Sequence, residues 1–310
     1  MSNTLTNLFQ TKIVPGLYRK YYAGLTSAWM ENNAIGVDYH GGKYVEMHEL
    51  DVDGLGNYDR NLGYPGGNIT GSKQRFELTM DRGREFKIDA ADNDETGFLV
   101  TAAAAMTKFQ DKWVIPEVDS YRYSKIYKEV NQKASGNVLA DAIKEDSITD
   151  QLADDITQLR DVISESTPLV VIMSGLTQKY FGREFSRSLD YMSFLMGELH
   201  TKVKNLDGNP FMIIPSARLK TDYEYLDGVT TAQAAGGFKA ATEAKDMKWI
   251  ITPMTAPVAV GKIDKMRVFT PEEYQQADAW KVDYRLFHDL WMTQDACDCT
   301  LIRTGDITAV

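Results

Sequence analysis

The chain has 310 residues, 43% of them hydrophobic and 25% charged, which is enough apolar material for an extensive core and excludes wholesale disorder. A formal charge of -10 argues against sequence-independent nucleic-acid binding, which draws on a basic surface to release phosphate counterions, although a local basic face stays open. No run of about 18 apolar residues offers a bilayer span, and Met1–Gln10 is polar without a hydrophobic signal core, so the chain reads as cytosolic.

Residues 1–40 read as an arm in which Leu17, Tyr18, Tyr21, Tyr22, Leu25 and Trp29 recur at helical spacing, either one amphipathic helix or a strap across another subunit. From Gly41 to Gly71 the chain is rich in glycine (Gly54, Gly56, Gly63, Gly66, Gly67, Gly71) and poor in large apolar side chains. A structureless stretch of this length inside a compact domain is normally a functional arm or a disordered segment. Phe76, Leu78 and Met80 then alternate with polar residues, Asp81-Arg82-Gly83 reads as a turn, and Phe86 and Ile88 resume the alternation. The expectation is a β-hairpin stem carrying a long Gly-rich tip, which can be ordered only by lying on something else, such as a neighbouring copy.

Asp92 with Glu95 three residues on makes a capping-box-like start for a helix over about 95–112, with an apolar stripe through Ala102, Phe109 and Trp113, ended by Pro116. A second helix begins at Ser147, with Asp150 three residues later, and carries Ile148, Leu152, Ile156, Leu159 and Ile163 on one face. Pro168 and the apolar run Leu169–Met173 follow as a buried central strand, giving a small α/β layer. Asp207-Gly208-Asn209-Pro210 turns the alternating Leu199–Leu206 segment into the strand Phe211–Ile214. Residues 227–243, rich in Gly, Ala and Thr, read as a flexible surface loop, and Trp249–Ile251 as another buried strand. Val258 and Val260, then Met266 and Val268, then Trp280, Val282, Tyr284 and Leu286 mark alternating strands separated by Pro271 and polar turns.

The motifs do not commit the chain to catalysis. Gly66 and Gly71 have the separation of a phosphate loop, but Ser72-Lys73 reverses the required Lys-Ser order and no buried strand leads in. His40, His48, His200 and His288 include no pair at the i, i+4 spacing of a helical metal site. Asp89, Asp92, Asp94 and Glu95 depart from the calcium-loop pattern and complement a helix N-terminus without an ion. Cys297 and Cys299 would share one face of a strand and cannot fill a tetrahedral zinc site, which leaves them as small packed side chains. No catalytic, cofactor-binding or metal-binding residue is therefore nominated. Around the expected turn Asp81, Arg82, Arg84, Glu85 and Lys87 mix signs, as a solvated face or a charge-paired subunit boundary would.

Three phrases, taken in order, carry a family resemblance: Phe76–Thr79 with Asp81–Asp89, then Val114–Ile126, then Gly261–Phe269 with Pro271 and Ala277–Asp289. In this order of elements the chain resembles the major capsid proteins of tailed bacteriophages, the Hong Kong 97-type fold, over essentially its whole length. The resemblance implies an α+β fold divided into an N-arm (1–40), an extended E-loop hairpin (41–88), a P-domain with its spine helix (89–145, with Val114–Ile126 at the helix exit), an A-domain (146–252) and P-domain strands with the C-terminal segment (253–310). It implies a non-enzymatic coat protein that assembles as hexamers and pentamers into an icosahedral shell around double-stranded DNA, located in the virion and assembled in the host cytoplasm. The acidic balance suits a wall that encloses DNA without gripping it.

Implied partners are further copies of the chain, a separate scaffolding protein (the E-loop is reached without a long helical extension), a portal protein and a decoration protein, with no cofactor and no membrane. Inter-subunit contacts fall to Tyr58, Arg60, Tyr64, Lys73, Arg75, Arg82, Arg84 and Glu85. Lys73 and Lys43 lie where some members form isopeptide cross-links, but the partner residues find no match here. Two other functions stand beside this one: an encapsulin-like nanocompartment, and a soluble enzyme with a Gly-rich lid.

Overall fold

A proline inside a helix removes one hydrogen bond and crowds the carbonyl four residues back, yet in the computed structural model the main helix runs straight through Pro116. The device is a π-helical turn. Helix α1 covers Val14–Gly24 and α2 covers Glu95–Phe109; Gln110–Val114 then takes π geometry, with the Ile115 N–H donating to the Gln110 carbonyl five residues back, and α3 continues over Ile115–Lys133. Pro116 thus falls in the first turn of α3, where its missing N–H costs nothing. The expected stop at Pro116 and the expected helix exit over Val114–Ile126 are both corrected: that stretch is the buried second half of the same rod.

The structure describes residues 14–34, 44–61, 63–89, 95–144, 147–184, 191–196, 199–206, 208–274 and 276–308, excepting the side chains of 47–51, 72–74, 95–101, 181–184, 199 and 263. Residues 1–13, His40, Gly42, Lys43, Asp92 and Asp94, on which parts of the sequence reading rest, lie outside the described residues, as do the side chains of His48, Lys73 and Glu95.

A seven-stranded mixed sheet lies on one side of α3. It has the order β4 (Val138–Leu139), β15 (Leu301–Arg303), β12 (Trp249–Pro253), β6 (Leu169–Ser174), β9 (Asn209–Ile214), β8 (Leu199–Leu206), β7 (Tyr191–Met196). The apolar run in β6 is explained by its central place, since every residue of it is buried. Side chains alternate across a strand, so Leu169, Val171 and Met173 pack with Ile148, Leu152 and Leu159 of α4 (Ile148–Val162), while Val170 and Ile172 face the core shared with Tyr123, Ile126 and Val130 of α3. Ser147 sits at the N-cap of α4 but makes no side-chain cap; its hydroxyl donates instead to the Lys144 carbonyl.

The other side of α3 meets a three-stranded sheet, β13 (Val258–Phe269), β14 (Ala279–Trp291) and β3 (Met80–Asp89), all antiparallel. This arrangement overturns the expected hairpin stem. Asp81-Arg82-Gly83 is no turn but the interior of β3, paired from Met80↔His288 to Asp89↔Ala279. Gly83 is required there, because a Cβ would sit 2.7 Å from the Tyr284 carbonyl oxygen on β14. The true hairpin is β1 (Tyr44–Val52) with β2 (Ile69–Glu77), so the hairpin expected over 41–88 closes at Glu77. The two stretches expected around Val258 and Met266 form one strand with a bulge between Gly261 and Ile263.

The N-terminal segment packs on its own subunit over the described residues: Leu17 and Tyr21 of α1, Leu25, and Trp29 and Met30 of a 3₁₀ stretch (Ala28–Ala34) all enter the main core. A strap lying wholly on a neighbour is thereby excluded for 14–34. Asn33 fixes the end of the segment, donating 2.8 Å bonds to the Met254 and Pro257 carbonyls. Helix α5 covers Gly175–Glu184, and Cys297 and Cys299 lie in and just after a short later helix, α6 (Gln294–Asp298), and not on a strand; burial pushes the Cys297 thiol up to about 11, so it is an inert packed group. No helix among the described residues is long and apolar enough to cross a membrane.

Candidate assembly surface

The register Tyr44↔Glu77 to Val52↔Ile69 makes residues 53–68 the tip of the hairpin. Local chemistry shapes this tip. Asp59 and Gly63 exchange both backbone hydrogen bonds (3.1 and 2.8 Å), and the Asn61 N–H donates to Asp59 Oδ1 at 2.6 Å, closing an Asx turn. Gly63 has φ +82°, a left-handed conformation that costs a side-chain-bearing residue about 1 kcal/mol. At the tip's neck the Asp53 N–H donates to the Asn68 carbonyl, and the Asn68 N–H to Asp53 Oδ2 at 2.7 Å. The rings of Tyr58 and Tyr64 stand 5.0 Å apart as a pair. Leu55 is fully exposed, Tyr64 is 88% exposed and Tyr58 60%. An ordered loop that holds large apolar groups in water has the form of a contact surface.

The hairpin's base is fixed to the body by a small core of Val45, Leu78, Phe287 and Trp291, with Phe76 stacked on Trp291 at 5.3 Å. Beside it lies the buried Asp289 carboxylate, which accepts from the Thr79 N–H and hydroxyl (2.8 Å each), the Tyr121 hydroxyl (2.6 Å) and the Leu290 N–H. One carboxylate thus joins the hairpin's exit, the long helix and β14. A charge-assisted cluster of this kind in a dry setting resists splaying of the hairpin from its root.

Just beyond the base, Arg82 and Arg84 project from the same face of β3, as residues two apart must. Both hold the loop between β10 (Tyr223–Tyr225) and β11 (Phe238–Ala240). Arg82 pairs with Glu117 of α3 and donates to the Leu226 and Gly237 carbonyls at 3.0 and 3.1 Å; Arg84 donates to the Ala234 carbonyl at 3.2–3.3 Å. The loop expected to be flexible over 227–243 is therefore tethered, with Gly228, Gly236 and Gly237 all at positive φ. Gly237 lies on the indole of Trp113, where a Cβ would come within 2.6 Å of the ring. Gly237→Ala should accordingly lower stability by about 1–3 kcal/mol through strain and the clash, read from the urea midpoint. Adding Trp113→Leu should recover part of that loss.

Between β3, the π-turn and this loop lies a half-open cavity of about 300 Å³, walled by Phe86, Phe109, Trp113 and Tyr284 and floored by His288. His288 is buried with its Nδ1 unpartnered, and burial, aided by the Arg122 and Arg82 cations, holds its pKa at about 3, so the ring is neutral. Burial raises the Glu117 carboxyl as well, with Arg82 offsetting part of the rise.

The nominated residues separate into groups. Tyr58, Arg60 and Tyr64 share the exposed tip; Arg75, further down β2, lies over the Tyr44 ring at 3.8 Å; Lys73 belongs to β2. Arg82 and Arg84 are engaged within their own subunit, and exposed Glu85 pairs with Lys281 (3.1 Å) and Lys87 (3.2 Å), cations that hold its carboxyl below the usual range. The sequence reading gave Glu117, Trp113, His288 and Asp289 no role at this surface. A signal existed for the last two, because His-Asp interrupts the otherwise apolar end of β14.

No protein-family model matches this chain, and no curated protein matches it. Solved structures do. The mature capsid of bacteriophage PhiM1 superposes with a TM-score of 0.55 at 11% identity, covering 85% of this chain and 82% of that one. The capsid structure of Staphylococcus phage Andhra gives 0.55 at 8% identity over 86% and 82%. The chain has the tailed-phage capsid fold. A third capsid structure, from cyanophage P-SCSP1u, agrees, with a TM-score of 0.50 at 11% identity over 87% and 85%. These matches span most of both chains, and the mixed helix-and-sheet architecture agrees with the α+β reading of the sequence.

Proposed function

We propose that this chain is the major coat subunit of a tailed phage, self-associating as hexamers and pentamers into an icosahedral shell around double-stranded DNA. The observation that carries the reading is the combination of a capsid fold over the length of the chain with an ordered, apolar-tipped hairpin that its own subunit leaves uncovered. Tyr58, Arg60 and Tyr64 serve as inter-subunit contacts at the tip, with Lys73 and Arg75 along the stem, while Arg82, Arg84 and Glu85 shape the surface that a neighbour meets. In this reading residues 1–40 are the N-arm, 44–77 the E-loop, 89–145 the spine-helix part of the P-domain, 146–252 the A-domain and 253–310 the closing P-domain strands. The subunit works in the virion after assembly in the host cytoplasm, aided by a separate scaffolding protein and joined by a portal and a decoration protein.

The net charge of -10 supports a lining that confines DNA without adhesion, because like charges keep the phosphate backbone off the wall. The phage capsids among the matched structures favour a phage shell over an encapsulin-like nanocompartment. The Gly-rich segment, once expected as an enzyme lid in the competing view, forms the tip of a projecting hairpin and covers no cluster of catalytic groups among the described residues.

Replacing residues 54–67 by an Asn-Gly turn joins Asp53 to Asn68 through the tightest hairpin connection available. The variant should stay folded, with an unchanged urea midpoint, and should form no closed shells by electron microscopy in the presence of the scaffold, where the parent forms them. Closed shells from the shortened chain would overturn the assembly role of the tip.

A further inference from the structure

We propose that the half-open cavity beside the π-turn is a binding site for a small neutral aromatic alcohol of two fused rings, a ligand of the naphthol class. The site lies within one subunit and is independent of the shell reading.

Its walls follow from the way the elements present their side chains. Residues two apart share one face of a strand, so β14 turns both Tyr284 and His288 to the cavity, with Phe86 of β3 beside them. Opposite stand Phe109, at the end of α2, and Trp113 of the π-turn. A single π-turn inside a long helix is a departure that recurs at functional sites. The remaining side is the loop over 226–237, where Gly236 and Gly237 put backbone instead of side chain against the space.

Size and shape select the ring system. A dry cavity of about 150 Å³ accepts one benzene ring, so the observed volume of about 300 Å³ suits two fused rings. Phe86 stands edge to face with Phe109 at 5.0 Å, and Phe109 with Tyr284 at 5.9 Å. Rings set in this way offer an entering aromatic group both faces and edges, the two geometries in which such groups attract.

Charge selects a neutral ligand. The lining holds both signs, and each is engaged inside the subunit: Arg82 pairs with Glu117, Arg285 donates to Asp81 at 2.8 Å, Arg84 donates to the Ala234 carbonyl, and Asp227 accepts from the Val229 and Thr230 N–H groups. An entering cation would meet the Arg82 and Arg84 guanidiniums, and an anion the Asp81, Glu117 and Asp227 carboxylates, so neither sign is favoured. What the lining leaves unpaired is the imidazole of His288, which is buried and neutral and whose Nδ1 has no partner. A neutral imidazole has one donor and one acceptor nitrogen, and an unmade buried hydrogen bond is costly. A hydroxyl both donates and accepts, so it pairs with either tautomer of the ring.

The test is calorimetric titration of the full-length chain with 2-naphthol. One equivalent should bind per subunit, and naphthalene, which lacks the hydroxyl, should bind about tenfold more weakly in competition, the worth of one hydrogen bond. The 2-naphthoate anion and the 2-naphthylmethylammonium cation should both bind more weakly than 2-naphthol. Ala235→Trp, at the exposed rim, fills the mouth and should abolish binding at an unchanged urea midpoint. His288→Leu should bind 2-naphthol and naphthalene equally. No binding up to the solubility of 2-naphthol, several equivalents per subunit, or binding that Ala235→Trp leaves intact would overturn the site. Tighter binding of either ion would overturn the neutral class, and a hydroxyl preference that survives His288→Leu would overturn the role of the imidazole. Should His288→Leu fail to fold, the parent decides that last point, because equal binding of 2-naphthol and naphthalene there would overturn it as well.

Discussion

Replacing Asp119 with alanine is expected to lower the subunit's stability by about 3–5 kcal/mol, the cost of breaking a buried ion pair by removing one partner. Asp119 is fully buried in α3. Its Oδ1 accepts from the Ser27 N–H (3.1 Å) and hydroxyl (2.7 Å); its Oδ2 accepts from the Thr26 N–H and hydroxyl and from Arg218 Nη1 at 3.1 Å. The buried Ser27 donors would be left without a partner, and an unmade buried hydrogen bond costs more than a made one contributes. Arg122, one residue removed from direct contact, donates to the Ser27 carbonyl and pairs with Glu31, so the damage spreads along the N-terminal segment. Urea unfolding followed by far-UV circular dichroism measures the loss. Asp119→Asn, which keeps an acceptor and the shape, should cost roughly half as much by the same accounting. An alanine variant within about 1 kcal/mol of the parent, the size of an ordinary substitution, would mean that 14–34 is not anchored through this carboxylate.

The comparison of sequence with structure turns on how local each cause is. Leu169–Met173 could be read as a central strand because both faces of β6 are lined by core, so every residue had to be apolar. The stripe of α4 was legible because its one apolar face packs against β6. Asp81-Arg82-Gly83 misled, because a Gly chosen for close approach to the Tyr284 carbonyl looks like a Gly chosen for a turn. Pro116 misled because the π-turn that accommodates it leaves no mark in periodicity. The 227–243 loop looked loose by composition, yet it is held by Arg82 and Arg84, more than a hundred residues earlier in the chain. For the exposed hairpin tip, Tyr58, Arg60 and Tyr64 could be singled out together since one contiguous loop carries them. The cavity could not, because the helix, two strands and a distant loop each contribute part of its wall.

Acidification should expose two opposed titrations, and single variants should separate them. His288 is held at about 3 against an ordinary 6.5, so between those values the unfolded chain binds a proton that the folded subunit refuses, and stability falls as pH falls through the window. Two units below 6.5, at about pH 4.5, this term amounts to about 2–3 kcal/mol at 1.36 kcal/mol per unit. Asp264 behaves in the opposite sense. Burial, with Glu31 adding and the Tyr284 hydroxyl offsetting, raises its carboxyl from 3.8 to about 6, so the folded subunit binds the extra proton and stability is lost as pH rises through about 6. Partial solvent contact trims that term to about 1–3 kcal/mol. In the parent the two nearly cancel between pH 7 and 4.5. Asp264→Asn should therefore be more stable than the parent at pH 7 and indistinguishable from it near pH 4, whereas His288→Gln should match the parent at pH 7 and exceed it by about 2–3 kcal/mol at pH 4.5. Every other carboxylate is common to the three proteins and drops out of the differences. Urea midpoints at the two pH values give the result, and a His288→Gln difference that stays flat with pH would mean that the imidazole meets water in the folded subunit and that the floor of the cavity is wet.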